Sequence, residues 1–214
     1  MIVLAIDTAG VDCSAAVYDG SARRLVGVAT ENIGRGHAEK LMATIDTALA
    51  EAGLDLSAIE RVAVTVGPGS FTGIRVGVAA ARGLALSLGI DAVGIPTLEA
   101  IADAAEKDGQ PFLVAMDAKR GEVYLQQFQA DGTPEGEACI ASVEAFARSA
   151  SGLRVIGSAA ALLSDPAALT ETDRFPIGVV ARLGAVAKAA GKPKPLYLRG
   201  PDAKPQAGFA VLRA

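Results

Sequence analysis

The first hundred residues alternate between short apolar runs and polar breaks, a pattern that predicts strands first and helices afterwards. Ile2 to Ile6 is apolar and stops at Asp7. Cys13 to Tyr18 and Leu25 to Ala29 follow as β-prone runs, set apart by the turn-like segments AGVD and DGSA. From His37 to Ala52 the period lengthens to that of a helix. Leu41, Met42, Ile45, Ala48, Leu49 and Ala52 fall on one side, with Glu39, Lys40, Asp46 and Glu51 elsewhere. Gly53 is placed to end this helix in the left-handed region. Ser57 and Glu60 have capping-box spacing ahead of the strand Arg61 to Val66, whose small and β-branched residues suit the centre of a sheet. An almost wholly apolar helix is then expected from about Ser70–Thr72 to Leu88.

The pattern restarts in the second half. LAIDTA at residues 4–9 is echoed by VAMDAK at 114–119, and each is followed by a β-prone run, CSAAVYD or EVYLQQF. Each half therefore puts an aspartate, Asp7 or Asp117, at the end of an apolar strand just before a hairpin. A duplicated unit of this kind predicts an α/β chain of two similar lobes. The polar stretch EKDGQP places the boundary, giving an N-terminal lobe over 1–106 and a C-terminal lobe over 107–214. GKPKPLYLRGPDAKPQAG is too rich in Pro and Gly for a regular element until the last few residues.

Composition narrows the class. The chain is 51% hydrophobic, but about a fifth of it is Ala, and no uninterrupted apolar stretch reaches the ~18 residues of a spanning helix. With no basic n-region at the N-terminus either, the expectation is a cytoplasmic protein with no membrane association. Twenty Lys and Arg against 24 Asp and Glu argue against a stand-alone nucleic-acid binder. Cys13 and Cys139 lack redox or zinc spacing and read as small buried apolar residues.

The sharpest local signal is VGPGSFTGIRVGVAAARGLALSLG, residues 66–89. Its loop presents Gly69, Ser70 and Thr72 at a helix N-terminus, where free N–H groups attract anions. The string is neither a Walker A loop nor G-x-G-x-x-G, so a structural turn is the simpler reading. In the helix, Gly73, Gly77 and Ala81 recur every four residues and leave a groove for close approach of another helix, internal or from a second chain. A lobe of this size is too small to cover every face of such a helix, which favours a partner; Gly77→Arg would then abolish association and spare the fold. His37, the only histidine, has Lys40 and Leu41 where a metal-binding helix would offer its second ligand, and no G-x-S-x-G elbow is present for a hydrolase. Asp7 and Asp117 would position Mg and phosphate only if they face one another across a cleft; otherwise each caps a turn.

Taken together, LAIDTAGVDCSAAV, HAEKLMATIDTAL, GPGSFTGIRVGVAAARGLA, GIPTLEAIA, DAKRGEVYLQQF and PLYLRGP resemble the TsaB (YeaZ) family, accessory subunits in the synthesis of threonylcarbamoyladenosine in tRNA. The resemblance implies a two-lobed actin/sugar-kinase/heat-shock-ATPase-like fold with duplicated βββαβα lobes. It implies a paralogue of the catalytic subunit TsaD that lacks the metal-binding histidine pair, Leu41 standing at the second position. It further implies a non-catalytic scaffold that binds TsaD, with TsaE joining, forms a homodimer when alone and meets tRNA only indirectly. The interface so implied is His37, Leu41, Met42, Ile45, Gly73, Ile74, Gly77, Val78, Ala81 and Leu84. No cofactor is demanded; the alternative is an autonomous ATPase holding ATP or ADP with Mg in a remnant cleft of Asp7, Gly69, Ser70, Thr72 and Asp117, or a nucleotide at the complex interface. A glycoprotease-like peptidase would need a metal or nucleophile that the motifs do not supply.

Overall fold

A computed structural model describes residues 1–171 and 173–200. Strand β1 (Ile2–Asp7) turns into β2 (Asp12–Asp19) and β3 (Arg24–Asn32); helix α1 (His37–Ala52) then leads to β4 (Arg61–Gly67), α2 (Phe71–Leu88), β5 (Asp91–Pro96) and α3 (Thr97–Ala104). The sheet order is β3-β2-β1-β4-β5, antiparallel through the hairpins and parallel from β1 to β4 to β5. Residues 105–111 form no regular element. Beyond them β6 (Phe112–Lys119), β7 (Glu122–Phe128), β8 (Pro134–Ser142), α4 (Val143–Ser149) and β9 (Arg154–Ile156) build a second sheet in the order β8-β7-β6-β9.

The two halves repeat one plan: three antiparallel strands, a helix, and a fourth strand parallel to the first. This is the two-lobed α/β fold that the repeated Asp-ended strands predict. The halves diverge after the fourth strand. Where the first continues into α2 and β5, the second has a 3-10 turn over Ser158–Leu163 and then α5 (Ile177–Val186), which crosses back onto the first sheet. A division of the chain at 106/107 therefore separates that sheet from one of its two covering layers.

Side-chain alternation along β1 feeds both layers. Leu4 and Ile6 point to the side of α1 and α2, meeting Leu41, Ile45, Ile74 and Val78, while Val3 and Ala5 meet Ile177, Val180 and Ala181 of α5. With both faces covered, the strand reads as an unbroken apolar run. A smaller core under the second sheet joins Leu113, Ala115, Val123 and Leu125 to Phe146 of α4.

Two local readings change. The turn before β4, Leu56–Ala58, is capped by Asp55, whose Oδ1 accepts the Ser57 N–H at 2.8 Å, and not by Ser57. Glu60 instead accepts the Ile2 N–H at 2.6 Å. Cys13 is buried as expected, but Cys139 is exposed, because β8 is an edge strand that the seven-residue α4 covers only in part. The regular end expected in the last few residues, and Pro201 of PLYLRGP, lie outside the described residues.

Candidate functional site

The loop from β4 to α2 follows the sequence closely. Ser70 is the N-cap, its Oγ accepting the Gly73 N–H at 3.2 Å, and Gly69 (φ 157) and Pro68 deliver the chain over Ala9 at the end of β1. Thr8 Oγ1 donates to the Gly73 carbonyl at 2.7 Å, fastening the first turn of α2 to the sheet. A Cβ at Gly73 would collide with the Thr8 carbonyl, and one at Gly77 with the Thr8 hydroxyl and the Val64 side chain.

That contact corrects the expected interface. The small-residue groove of Gly73, Gly77 and Ala81 is turned to the chain's own sheet, where Thr8, just past β1, and Val64 of β4 fill it, and Ile74 and Val78 are buried there with it. Leu41 and Ile45 are likewise interior, on the inner face of α1. His37 is buried, its Nε2 3.1 Å from the Asp12 carbonyl, which can only accept; the imidazole is thereby turned to the backbone of β2. Of the expected contact residues, Met42 is exposed (46%) and Leu84 partly so. The reason is rotational: the face that lets a helix approach closely was used to approach the sheet. What α2 leaves outward is Phe71, Ala79, Gly83 and Leu86, the last 77% exposed, set among Thr72, Arg75, Arg82 and Ser87. Among the described residues α2 also has the length and mean hydropathy (1.3) of a membrane span, yet its inner stripe rests on this chain's own sheet.

Between the lobes lies a cleft of about 930 Å³. Phe71, Tyr124, Phe175 and Tyr197 line it, together with Gly69 and Ser70 on one wall and Asp117, Ser158 and Asp173 on the other. The two repeated aspartates do not face each other across it. Asp7 is 1% exposed and absent from the lining; its Oδ1 accepts the Thr65 hydroxyl at 2.6 Å and the Ala9 N–H at 3.0 Å. Burial pushes its pKa up to about 6, with nearby Asp12 adding to the rise and the Thr65 and Ala9 bonds opposing it. Thr72 also lies off the lining.

Asp117 is held differently. Burial alone would raise its pKa, but the Lys119 ammonium at 2.8 Å, the Thr170 hydroxyl at 2.5 Å and the Lys119 N–H hold it below the usual carboxylate range. Asp173 goes the other way: burial raises it, although it accepts the N–H and hydroxyl of Ser158. Duplication thus produced two aspartates at equivalent strand ends in unlike surroundings, one dry and one ion-paired. Among the described residues no three His, Cys, Asp or Glu side chains converge as a metal's donor set would.

Comparison with known proteins meets this geometry. Residues 14–169 match the family model described as TsaD: tRNA N6-adenosine threonylcarbamoyltransferase. The structure of YeaZ from Pseudomonas aeruginosa superposes with a TM-score of 0.74 over 92% of this chain and 99% of that one, at 25% identity. The tRNA threonylcarbamoyladenosine biosynthesis protein TsaB of Escherichia coli is 39% identical over 134 residues, 61% of this chain and 56% of that protein. The chain belongs to the TsaB/YeaZ family. An uncharacterized protein of Mycobacterium tuberculosis is 37% identical across 96% of this chain and 95% of its own length, so the family likeness runs nearly end to end.

Seen as a TsaB/YeaZ chain, the molecule has functional candidates that periodicity missed. Phe71 and Leu86 sit on the outward face of α2, and Tyr197 and Arg199 sit at the cleft mouth. The outward face was legible only as an excess of apolar positions over what one stripe can bury. Tyr197 and Arg199 lie in an irregular, Pro-rich segment where no period exists to read.

Proposed function

We propose that this chain serves the formation of threonylcarbamoyladenosine in tRNA as a non-catalytic subunit that docks a TsaD-type transferase through the outer faces of α1 and α2. The observation that carries this reading is the outer face of α2, where Phe71, Ala79, Gly83 and Leu86 are exposed around Arg75 and Arg82, beside Met42 of α1. Exposed apolar side chains interspersed with arginine on adjacent helices are what a partner helix pair would bury. TsaD would supply the transfer chemistry and the tRNA contacts, TsaE would join the assembly in the cytoplasm, and a second copy would occupy the same face when TsaD is absent.

Because Gly77 is spent inside the fold, the interface is tested at positions that are open. Leu86→Arg and Gly83→Arg should leave the circular dichroism spectrum unchanged, abolish co-purification with TsaD and remove this chain's support of tRNA modification in a reconstituted assay. Normal binding by both variants would place the docking face elsewhere. A second reading rests on the cleft: its volume and the Gly69–Ser70 helix start suit a nucleotide. Calorimetry with Mg-ATP on the isolated chain separates the two, since tight binding with turnover favours the ATPase.

A further inference from the structure

The segment Leu196–Arg199 belongs to the PLYLRGP motif, and neither the docking face nor the duplicated strands explain it. Within four residues it touches both lobes. On the first lobe, the Leu196 N–H donates to the Val66 carbonyl at 2.8 Å, and its side chain packs on the core beneath α2. The Tyr197 hydroxyl accepts from Arg75 Nε at 2.6 Å, and its ring lies 5.5 Å from that of Phe71. The Arg75 guanidinium in turn stands 3.6 Å over the Phe71 ring.

On the second lobe, Arg199 donates to the carbonyls of Ala118 (2.9 Å) and Lys119 (3.3 Å) and pairs with the Glu122 carboxylate. These three residues flank the β6–β7 hairpin, whose turn runs through consecutive left-handed residues, Lys119 (φ 61), Arg120 (φ 61) and Gly121 (φ 75). One guanidinium nitrogen, Nη2, reaches both carbonyls of the turn and its acidic side chain, and its permanent charge suits that cluster of acceptors. Among the described residues the two sheets share no ladder; besides the strap they are joined by α3, whose Leu98 and Ile101 share a buried core with Phe112, Val114 and Met116 of β6. A strap bonded to β4 and α2 at one end and to the β6–β7 hairpin at the other is therefore placed to fix their separation.

We propose that Leu196–Arg199 is a latch that holds the two lobes at one opening and, when released, lets them part and lays the aromatic cleft open. The latch shares Phe71 with the docking face, but its hydrogen bonds run from Leu196 to Val66, from Arg75 to Tyr197 and from Arg199 to the β6–β7 hairpin, none of them through Met42, Gly83 or Leu86.

The test measures the separation of the lobes directly. Cys139, exposed on β8, takes one dye, and Ala50→Cys on the exposed side of α1 takes the other, while Cys13 is buried. Single-molecule energy transfer between them should shift to a longer, broader distance distribution in Arg199→Ala. Amides of residues 118–123 should exchange at least about tenfold faster, with those of α4 unchanged. A distance distribution identical to that of the parent chain, with faster exchange confined to 195–200, would overturn the proposal by showing a strap that covers the cleft without holding it. Should Arg199→Ala fail to fold, Arg199→Lys decides the same question. It keeps a charge toward Glu122, but its ammonium stops one bond short of the place where Nη2 meets the two carbonyls, so an intermediate shift is expected and no shift overturns the latch.

Discussion

Asp7 is the residue where burial and hydrogen bonding oppose each other most openly. Its carboxyl has two good donors, yet desolvation raises its pKa to about 6, above the roughly 3.9 of an unfolded aspartate. The sign follows from proton counting. Between those values the folded chain binds the proton that the unfolded chain has lost, so acid stabilises the fold relative to neutral pH, and the gain fades as pH rises through 6. The span corresponds to roughly 3 kcal/mol. Asp7→Asn preserves an acceptor for Thr65 and Ala9 and carries no charge. It should be more stable than the parent at pH 8, with little change in urea midpoint between pH 5 and 8, whereas the parent loses stability over that interval. The sequence announces Asp7 by its place at a strand end. It says nothing about dryness, which depends on Thr65, fifty-eight residues away, and on the loop that carries Ser70 across the strand end.

At the scale of one element, α2 shows how a glycine in a helix can have two opposite meanings. Gly77 lies against Thr8 and Val64, and a methyl group there has no room; Gly83 faces open space. Gly77→Ala should therefore cost about 1–3 kcal/mol through overpacking. Gly83→Ala should gain about 0.5–1 kcal/mol by restricting the unfolded chain and favouring the helix. Thermal melts of the two variants check both signs. Elements themselves were well marked in the sequence: α1 has the bounds its 3.6-residue period predicts, with Gly53 left-handed after it (φ 66), and α2 starts one residue past its Ser cap. What periodicity could not decide was which stripe of α2 turns inward. Arg75 and Arg82 mark one side as outer, but which of the remaining small and apolar positions meet the sheet is decided by Thr8, just past β1, and Val64 of β4. The Pro-rich strap was invisible for a related reason, since its partners, Arg75 and Glu122, are set by three-dimensional placement and by no repeat.

For the molecule as a whole, the repeated strand–Asp–hairpin unit foretold the fold because each copy encodes its own sheet locally. It did not foretell that the copies would be unequal. In the second half the 3-10 turn over Ser158–Leu163 stands in the place of a full helix, and α5 is lent to the first sheet instead. Gly184 lets α5 settle on Ala63, and Arg61 of β4 donates to the carbonyls of Gly184, Ala185 and Ala187 at 2.9–3.3 Å, closing the end of α5.

This loan sets an order of events during synthesis. When residues 1–106 have been made, the first sheet has α1 and α2 over one face, while Val3, Ala5, Ala63, Val93 and Ile95 on the other await a helix some seventy residues away. A fragment of residues 1–106 should accordingly aggregate or bind a hydrophobic dye when expressed alone, and a separate peptide of residues 174–190 should restore its solubility. Soluble, dye-silent fragment would show that α5 is dispensable to that face. The first sheet to be made is thus completed by a helix from the second half, so the two halves, similar as they are in plan, mature as one unit.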